Sequence, residues 1–213
     1  MGTNRIYPLI AKEGWPFLFA GLFVSAVSTY YQLSVSLPFW IFFLFMVQFF
    51  RDPARNIPKG KNIVTSAADG RVIAIEKILD PYQKKQAIKV SVFMNVFNVH
   101  SNKIPISGQI VGKFYYPGKF LNASLSKASL ENERCAVIIK TENKEVITCV
   151  QIAGLIARRI LCYSEINDKV RIGERYGFIR FGSRVDLYLP LNASVKVILG
   201  QNVKNTETVI ATF

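Results

Sequence analysis

Arg71-Val-Ile-Ala-Ile-Glu76 and Ala87-Ile-Lys-Val-Ser-Val-Phe93 decide how this chain is to be read. Both are short runs rich in β-branched residues, the texture of strands rather than helices. Similar runs recur at Ala136-Val-Ile-Ile139, Glu145-Val-Ile-Thr-Cys-Val150, Gly177-Phe-Ile-Arg-Phe181, Arg184-Val-Asp-Leu-Tyr-Leu189 and Val195-Lys-Val-Ile-Leu199. Gly, Pro and Asn punctuate them, so the expected fold is mainly β, a small barrel or sandwich. Helices are expected only around Phe120–Asn132 and, shorter, over Ile152–Arg159. Asp69-Gly-Arg-Val72 is echoed by Ser107-Gly-Gln-Ile110, and Val170-Arg-Ile-Gly173 by Val203-Lys-Asn-Thr206. These echoes suggest a two-fold internal repeat.

Upstream the pattern is different. From Trp15 to Phe50 there is no Asp, Glu, Lys, Arg or His, and residues 1–50 carry only Arg5, Lys12 and Glu13 as charges. Two apolar runs, Trp15–Tyr31 and Leu37–Phe50, flank the polar break Gln32–Ser36. A bilayer core of ~30 Å takes about 20 helical residues to cross, so each run is marginal as a span. The segment reads as a hydrophobic helical hairpin anchoring residues 1–50 to a membrane, either crossing it or lying in one leaflet, with the β-rich domain in 51–213. Arg5 and Lys12 on one flank, with Arg51, Arg55, Lys59 and Lys61 on the other, place both ends on the cytoplasmic side of the cell membrane.

The 213 residues carry 27 Lys and Arg against 14 Asp and Glu, a net charge of +13 with half the residues hydrophobic. An intrinsically disordered chain is excluded by that apolar content. Nearly all the excess charge lies after residue 50, which suits anionic headgroups. No RNA-recognition, zinc-finger or helix-turn-helix pattern supports nucleic acid as a partner. Cys135, Cys149 and Cys162 lack metal-site spacing and are odd in number, against a disulfide scaffold. A single His leaves no multi-histidine metal site.

Three places hold groups that could do chemistry: Asp69 in Ser66-Ala-Ala-Asp-Gly70, His100 in Phe97-Asn-Val-His100, and Gly182-Ser183. Singly each has an ordinary reading, because Asp-Gly marks turns and a lone His is commonly a core residue. Together they supply an acid, a base and a hydroxyl, with the Asp able to orient an imidazole that deprotonates a serine. Ser183 stands in Phe-Gly-Ser-Arg-Val, with no Gly-x-Ser-x-Gly elbow, so hydrolysis of an external substrate lacks its usual setting.

In order along the chain, Phe49-Phe-Arg-Asp-Pro53, Ala67-Ala-Asp-Gly-Arg-Val72, Asn98-Val-His100 with Pro105-Ile-Ser-Gly108, and Gln151-Ile-Ala-Gly154 with Ala157-Arg-Arg159 resemble the phosphatidylserine decarboxylase proenzymes, in particular their short form. The most specific stretch is Gly173-Glu-Arg-Tyr-Gly-Phe-Ile-Arg-Phe-Gly-Ser-Arg-Val-Asp186. The resemblance implies self-cleavage between Gly182 and Ser183 into residues 1–182 and 183–213. Ser183 would become a pyruvoyl group, the only cofactor, whose ketone condenses with the amine of phosphatidylserine as pyridoxal phosphate does elsewhere. His100 is implied as the general base for cleavage and Asp69 as the residue orienting it. The product is phosphatidylethanolamine, and the fragments are expected to remain together as a heterodimer, alone or in a higher oligomer. Arg180 and Arg184, beside the cleavage point, are candidates for the substrate phosphate or carboxylate. A second His that longer members carry three positions before His100 is Phe97 here, which leaves the proton donor for decarboxylation open. Against this stand a non-catalytic basic lipid-binding module, a pyruvoyl decarboxylase of a soluble amine, and a serine hydrolase with Ser183 intact.

Overall fold

The computed structural model describes residues 9–32, 34–60, 62–125, 128–155, 159–180 and 182–213. Two compact units divide between Ala54 and Arg55. The first is helical. After a 3-10 turn at Lys12–Gly14 come α1 (Trp15–Tyr30) and α2 (Ser36–Phe49). Pro16 sits in the first turn of α1, where its missing N–H costs nothing. The outer ends of the two helices are tied by Ala11 N–H to Phe50 O at 2.7 Å and Asp52 N–H to Leu9 O at 2.7 Å. Across the pair, Trp40 Nε1 donates to Thr29 Oγ1 at 3.0 Å.

Apolar side chains cover both helices all round, with Phe19, Phe23, Leu37, Ile41, Phe42 and Leu44 exposed. Two hydroxyls of α1 are buried and bonded to its own backbone, Ser25 to Gly21 O and Ser28 to Ser25 O, and the exposed Thr29 also donates to Ser25 O. At 16 and 14 residues the helices are ~24 and ~21 Å long. No helix among the described residues is long and apolar enough to cross a membrane.

The second unit is β-rich. Its strands are β1 (Ile63–Thr65), β2 (Gly70–Asp80), β3 (Lys85–Met94), β4 (Ser101–Lys103), β5 (Gly108–Tyr116), β6 (Arg134–Lys140) and β7 (Val146–Ala153). They are followed by β8 (Ile160–Cys162), β9 (Lys169–Val170), β10 (Arg175–Ile179), β11 (Ser183–Leu189), β12 (Ser194–Val195), β13 (Asn202–Val203) and β14 (Val209–Thr212). A curled eight-stranded sheet runs β13-β2-β3-β11-β7-β6-β5-β9, and two three-stranded sheets, β1-β14-β12 and β4-β10-β8, contribute to the same core.

The paired turns noted in the sequence share local geometry. Gly70 opens β2 and Gly108 opens β5, and a Cβ on either would overlap a carbonyl oxygen of the neighbouring strand, Phe93 or Lys140. Each is followed by a register shift, between Val72 and Ala74 in one and Ile110 and Gly112 in the other. Val203 pairs with Gly70 as Val170 pairs with Gly108.

Three expectations need correction. Of Phe120–Asn132 only α3 (Ala128–Glu131) is helical among the described residues. Asn side chains capture the backbone there: Leu121 N–H donates to Asn132 Oδ1 at 3.0 Å and Ser124 N–H to Asn122 Oδ1 at 3.0 Å, alternatives to helical bonds. Ile152 and Ala153, expected to open a short helix, instead finish β7 because β11 supplies a full ladder for them; residues 156–158 lie outside the described residues. The strand expected over Val195–Leu199 stops at Val195, beyond which Ile198 N–H turns back to Gln201 Oε1 at 3.0 Å.

β11 is bonded along its length, to β3 through Ser183–Met94 to Leu189–Ile88 and to β7 through Ser183–Ala153 to Tyr188–Thr148. Every one of its residues is buried. Val185, Leu187 and Leu189 point into the main core, while Tyr188 joins a second cluster with Ala87, Ala136, Val150 and Ile152 on the other face. Leu187→Ala in the uncut Ser183→Ala background should cost about 2–5 kcal/mol in urea unfolding. Ile78→Ala, at a largely exposed position on β2, should cost under about 1 kcal/mol in the same assay.

Candidate active site

Antiparallel pairing brings the chemistry-bearing residues to one end of the large sheet. Ser183 starts β11 opposite Met94, the end of β3, and Ala153, the end of β7. Arg71, at the start of β2, pairs with Phe93, and Arg134, at the start of β6, pairs with Ile152. The segments carrying Asp69, Phe97–His100, Gly154 and Gly182 therefore leave the sheet at the same edge. A cleft of about 340 Å³ lined by Gln83, Gln86, Lys144 and Leu191 lies at the opposite end. Leu189 lies six steps along β11 from Ser183, ~20 Å, so that cleft is not where these groups meet.

Ser183 is fully buried, and its Oγ has no hydrogen-bond partner among the described residues. An unpaired buried hydroxyl costs on the order of 1–3 kcal/mol. Ser91 and Thr206 carry others among the described residues, and Ser183 differs from them in following directly on Gly182, whose N–H meets His100 Nε2. Gly182 precedes it at φ +62°, the left-handed region, with nothing within 4 Å of where a Cβ would stand. Glycine is needed there for conformation, not for room.

Room matters on the other side of the scissile peptide. A Cβ at Gly154 would overlap the Gly182 carbonyl oxygen and come within 2.8 Å of the carbonyl carbon. Gly154 continues β7 past Ala153, whose carbonyl accepts from Asn132 Nδ2 at 2.7 Å and whose N–H donates to Glu133 O at 2.9 Å. The seat of the scissile carbonyl is therefore itself held in place.

His100 is fully buried between β3 and β4. Its Nδ1 lies 2.9 Å from Asn98 O; a carbonyl only accepts, so Nδ1 carries the proton. Nε2 is then the lone-pair nitrogen, and it receives Gly182 N–H at 3.4 Å. The structure thus brings His100 to the cleavage dipeptide, with its basic nitrogen one residue from the serine hydroxyl. Its ring lies 6.4 Å from that of Phe178.

Asp69 is clamped on both oxygens. Arg55 donates to Oδ2 at 2.7 Å and Asn205 N–H to Oδ1 at 2.7 Å. Asn205 Nδ2 in turn donates to Ser101 O at 3.1 Å, next along the chain from His100. The sequence marks Arg55 only as a basic flank of the apolar segment and Asn205 not at all, because nothing local shows a residue reaching Asp69 from 14 or 136 positions away.

The two arginines part company. Arg180 follows β10 and is half-buried. Arg184 is 2% exposed and its guanidinium is engaged by Ala123 O, Leu125 O, Ser129 and Asp186. On β7 opposite Val185, Gln151 Nε2 donates to Asn102 Oδ1 at 2.8 Å, a buried polar pair.

All three cysteines are free thiols: burial pushes Cys149 up to about 12, hydrogen bonding to Cys162 together with burial pushes Cys135 up, and the same hydrogen bond lowers Cys162. Among the described residues no group of three or more His, Cys, Asp or Glu is arranged to hold a metal ion.

This geometry can be set beside known proteins. A family model described as phosphatidylserine decarboxylase matches residues 42–211. The chain belongs to the phosphatidylserine decarboxylase family. It is 53% identical over 213 residues, 99% of each chain, to the phosphatidylserine decarboxylase proenzyme of Ralstonia nicotianae. To the proenzyme of the same name from Nitrosomonas europaea it is 54% identical over 209 residues, 97% of this chain and 96% of that one. As a phosphatidylserine decarboxylase family member it is a lyase of phospholipid biosynthesis, and its β-rich unit lies within the matched residues but for the last two.

Gly154→Ala should leave the chain folded but slow its scission by at least about tenfold, because the new methyl displaces the Gly182 carbonyl. The accumulation of full-length chain on denaturing gels, followed over time after synthesis, measures this.

Proposed function

We propose that this chain cuts itself between Gly182 and Ser183 and thereafter decarboxylates phosphatidylserine to phosphatidylethanolamine at a pyruvoyl group formed from Ser183. The observation that carries the reading is the buried, unpartnered Ser183 hydroxyl beside a left-handed Gly182 whose N–H faces the lone-pair nitrogen of His100. His100 removes the hydroxyl proton as Oγ attacks the Gly182 carbonyl carbon, exchanging the peptide bond for an ester and freeing the Ser183 nitrogen as an amine. Loss of the Ser183 α-proton then expels the Gly182 carboxylate, and water replaces the resulting enamine nitrogen, releasing ammonia. Asp69, itself held by Arg55, stabilises positive charge in this buried region and helps keep the His100 segment in place through Asn205.

The residues present fit the pyruvoyl group. Met94 and Ala153 flank position 183 on the two neighbouring strands, both buried and apolar, so loss of the hydroxyl leaves no polar partner stranded. When present, the pyruvoyl carbonyl supplies an electron sink for the pair left by departing carbon dioxide. Strand pairing supports a lasting heterodimer: the 31 residues of 183–213 supply β11 between β3 and β7, β13 beside β2, and β14 beside β1.

The helical unit supports a membrane role, with burial in one leaflet on the cytoplasmic side. Its apolar side chains face outward all round, and the hydroxyls of Ser25, Ser28 and Thr29 are satisfied by carbonyls of the same helix, as a medium without water favours. A two-chain lipid leaves the bilayer only at about 0.8 kcal/mol per CH₂, so the enzyme is better brought to the substrate.

Denaturing mass spectrometry tests the covalent proposal. The wild type should yield residues 183–213 lighter by one ammonia than the same peptide headed by serine, while Ser183→Ala and His100→Ala should remain full length. An uncut wild type that still releases carbon dioxide from phosphatidylserine would overturn it. For the membrane role, wild type should float with anionic vesicles, whereas Phe23→Asp combined with Phe42→Asp should stay in the dense fraction yet still be cut.

A further inference from the structure

One step beyond Ser183 the strand carries a buried charge pair. Arg184 and Asp186 lie on the face of β11 opposite Val185 and Leu187, and they are 2% and 0% exposed. One terminal nitrogen of Arg184 donates to Asp186 Oδ2 at 3.0 Å, and Nε lies 2.8 Å from Oδ1 as an ion-pair contact that is not aligned as a hydrogen bond. The other terminal nitrogen donates to Ala123 O and Leu125 O, at 3.0 Å each. Ser129 Oγ accepts from Arg184 and donates to Asp186 Oδ2 at 3.3 Å.

A buried ion pair adds little net stability over an apolar pair of the same volume, so its presence asks for a positional reason. Its partners suggest one. Ala123, Leu125 and Ser129 belong to the connection from β5 to β6, and Asn132 of that same connection is bonded to Ala153 O and to Leu121 O. Ala153 faces Ser183 across the ladder. The guanidinium therefore fastens residue 184 to a structure outside its own strand, itself anchored to the strand beside residue 183.

Before scission, position 183 is held by the chain on both sides. Afterwards it is a chain terminus, and termini fray unless tied down. A reacting carbonyl displaced by ~1 Å loses on the order of 100-fold in rate. We propose that Arg184, through Asp186 and Ser129, is a positioning residue that clamps the chain end made by self-cleavage and holds residue 183 in its reactive seat. This rests on the pyruvoyl reading given above.

Arg184→Lys keeps the charge but not the fork that reaches two carbonyls and both carboxylate oxygens. The variant should cut itself to completion by mass spectrometry. In the cut protein, amide hydrogen exchange at residues 184–186 should run about tenfold faster than in cut wild type, while the uncut Ser183→Ala chain with and without Arg184→Lys should differ by less than about threefold. Phenylhydrazine should label the variant's carbonyl faster than the wild type's, and kcat on phosphatidylserine should fall roughly 10–100-fold with KM changed less than about threefold. Ser129→Ala should move each readout the same way by a smaller factor, and it carries the test alone if Arg184→Lys does not fold.

Unchanged exchange and labelling in the cut variants would overturn the clamp, as would a raised KM at unchanged kcat, which would make Arg184 a substrate ligand. Loss of scission in both variants would also overturn it by moving the role upstream of the cut. Failure of the pyruvoyl reading is seen separately, as a wild-type chain with Ser183 intact.

Discussion

A strand bonded on both sides can be moved only by breaking two ladders at once, and β11 is held in that way by β3 and β7. Its first residue is Ser183, so that position inherits the rigidity of the sheet while the residue before it departs in a left-handed turn. On the inner face, Val185, Leu187 and Leu189 fill the core; on the outer face, Arg184 and Asp186 are locked under the β5–β6 connection. Seven consecutive residues without exposure leave the strand no alternative register, since a slip by one would carry the charge pair into the apolar core.

The polar groups at this end of the sheet show a division of labour. Asn132, Asn205 and Asp69 have several well-made bonds each and act as fasteners between segments distant in sequence. Ser183 Oγ has none among the described residues. His100 stands between these cases: one nitrogen is tied to a carbonyl, which sets the tautomer, and the other is left basic and aimed at the cleavage dipeptide. Gln151 Oε1 and Asn205 Oδ1 are likewise without hydrogen-bond partners among the described residues, so what sets Ser183 apart is its place directly after Gly182, whose N–H meets His100 Nε2.

Much of the architecture was legible because it depends on local composition. The long strands β2, β3, β6, β7 and β11 coincide with β-branched runs, and α1 and α2 with the uncharged ones. The short strands β1, β4, β8, β9 and β13 were not visible, since two or three residues contain no period and become strands only when a neighbour offers a ladder. The helix expected over Phe120–Asn132 failed for a related reason. Its composition permits a helix, but Asn122 and Asn132 spend their side chains on the backbone of the connection instead. For the site, Asp69, His100 and Ser183 could be named from residue type, whereas Arg55, Asn205, Asn132 and Gly154 owe their importance to what lies across a gap in the folded chain.

Residue order alone determined the class of the fold, the apolar front segment and the family it resembles, all of which follow from side-chain chemistry read over short windows. Only the tertiary structure decided that glycine is required at 182 for its backbone angle and at 154 for its missing side chain. Only there does Arg184 become an internal fastener rather than an exposed cation. The physical reason is the same in each instance. Burial and close approach are properties of pairs of segments, and antiparallel pairing sets 183 against 94 and 153 by a register that no local window contains.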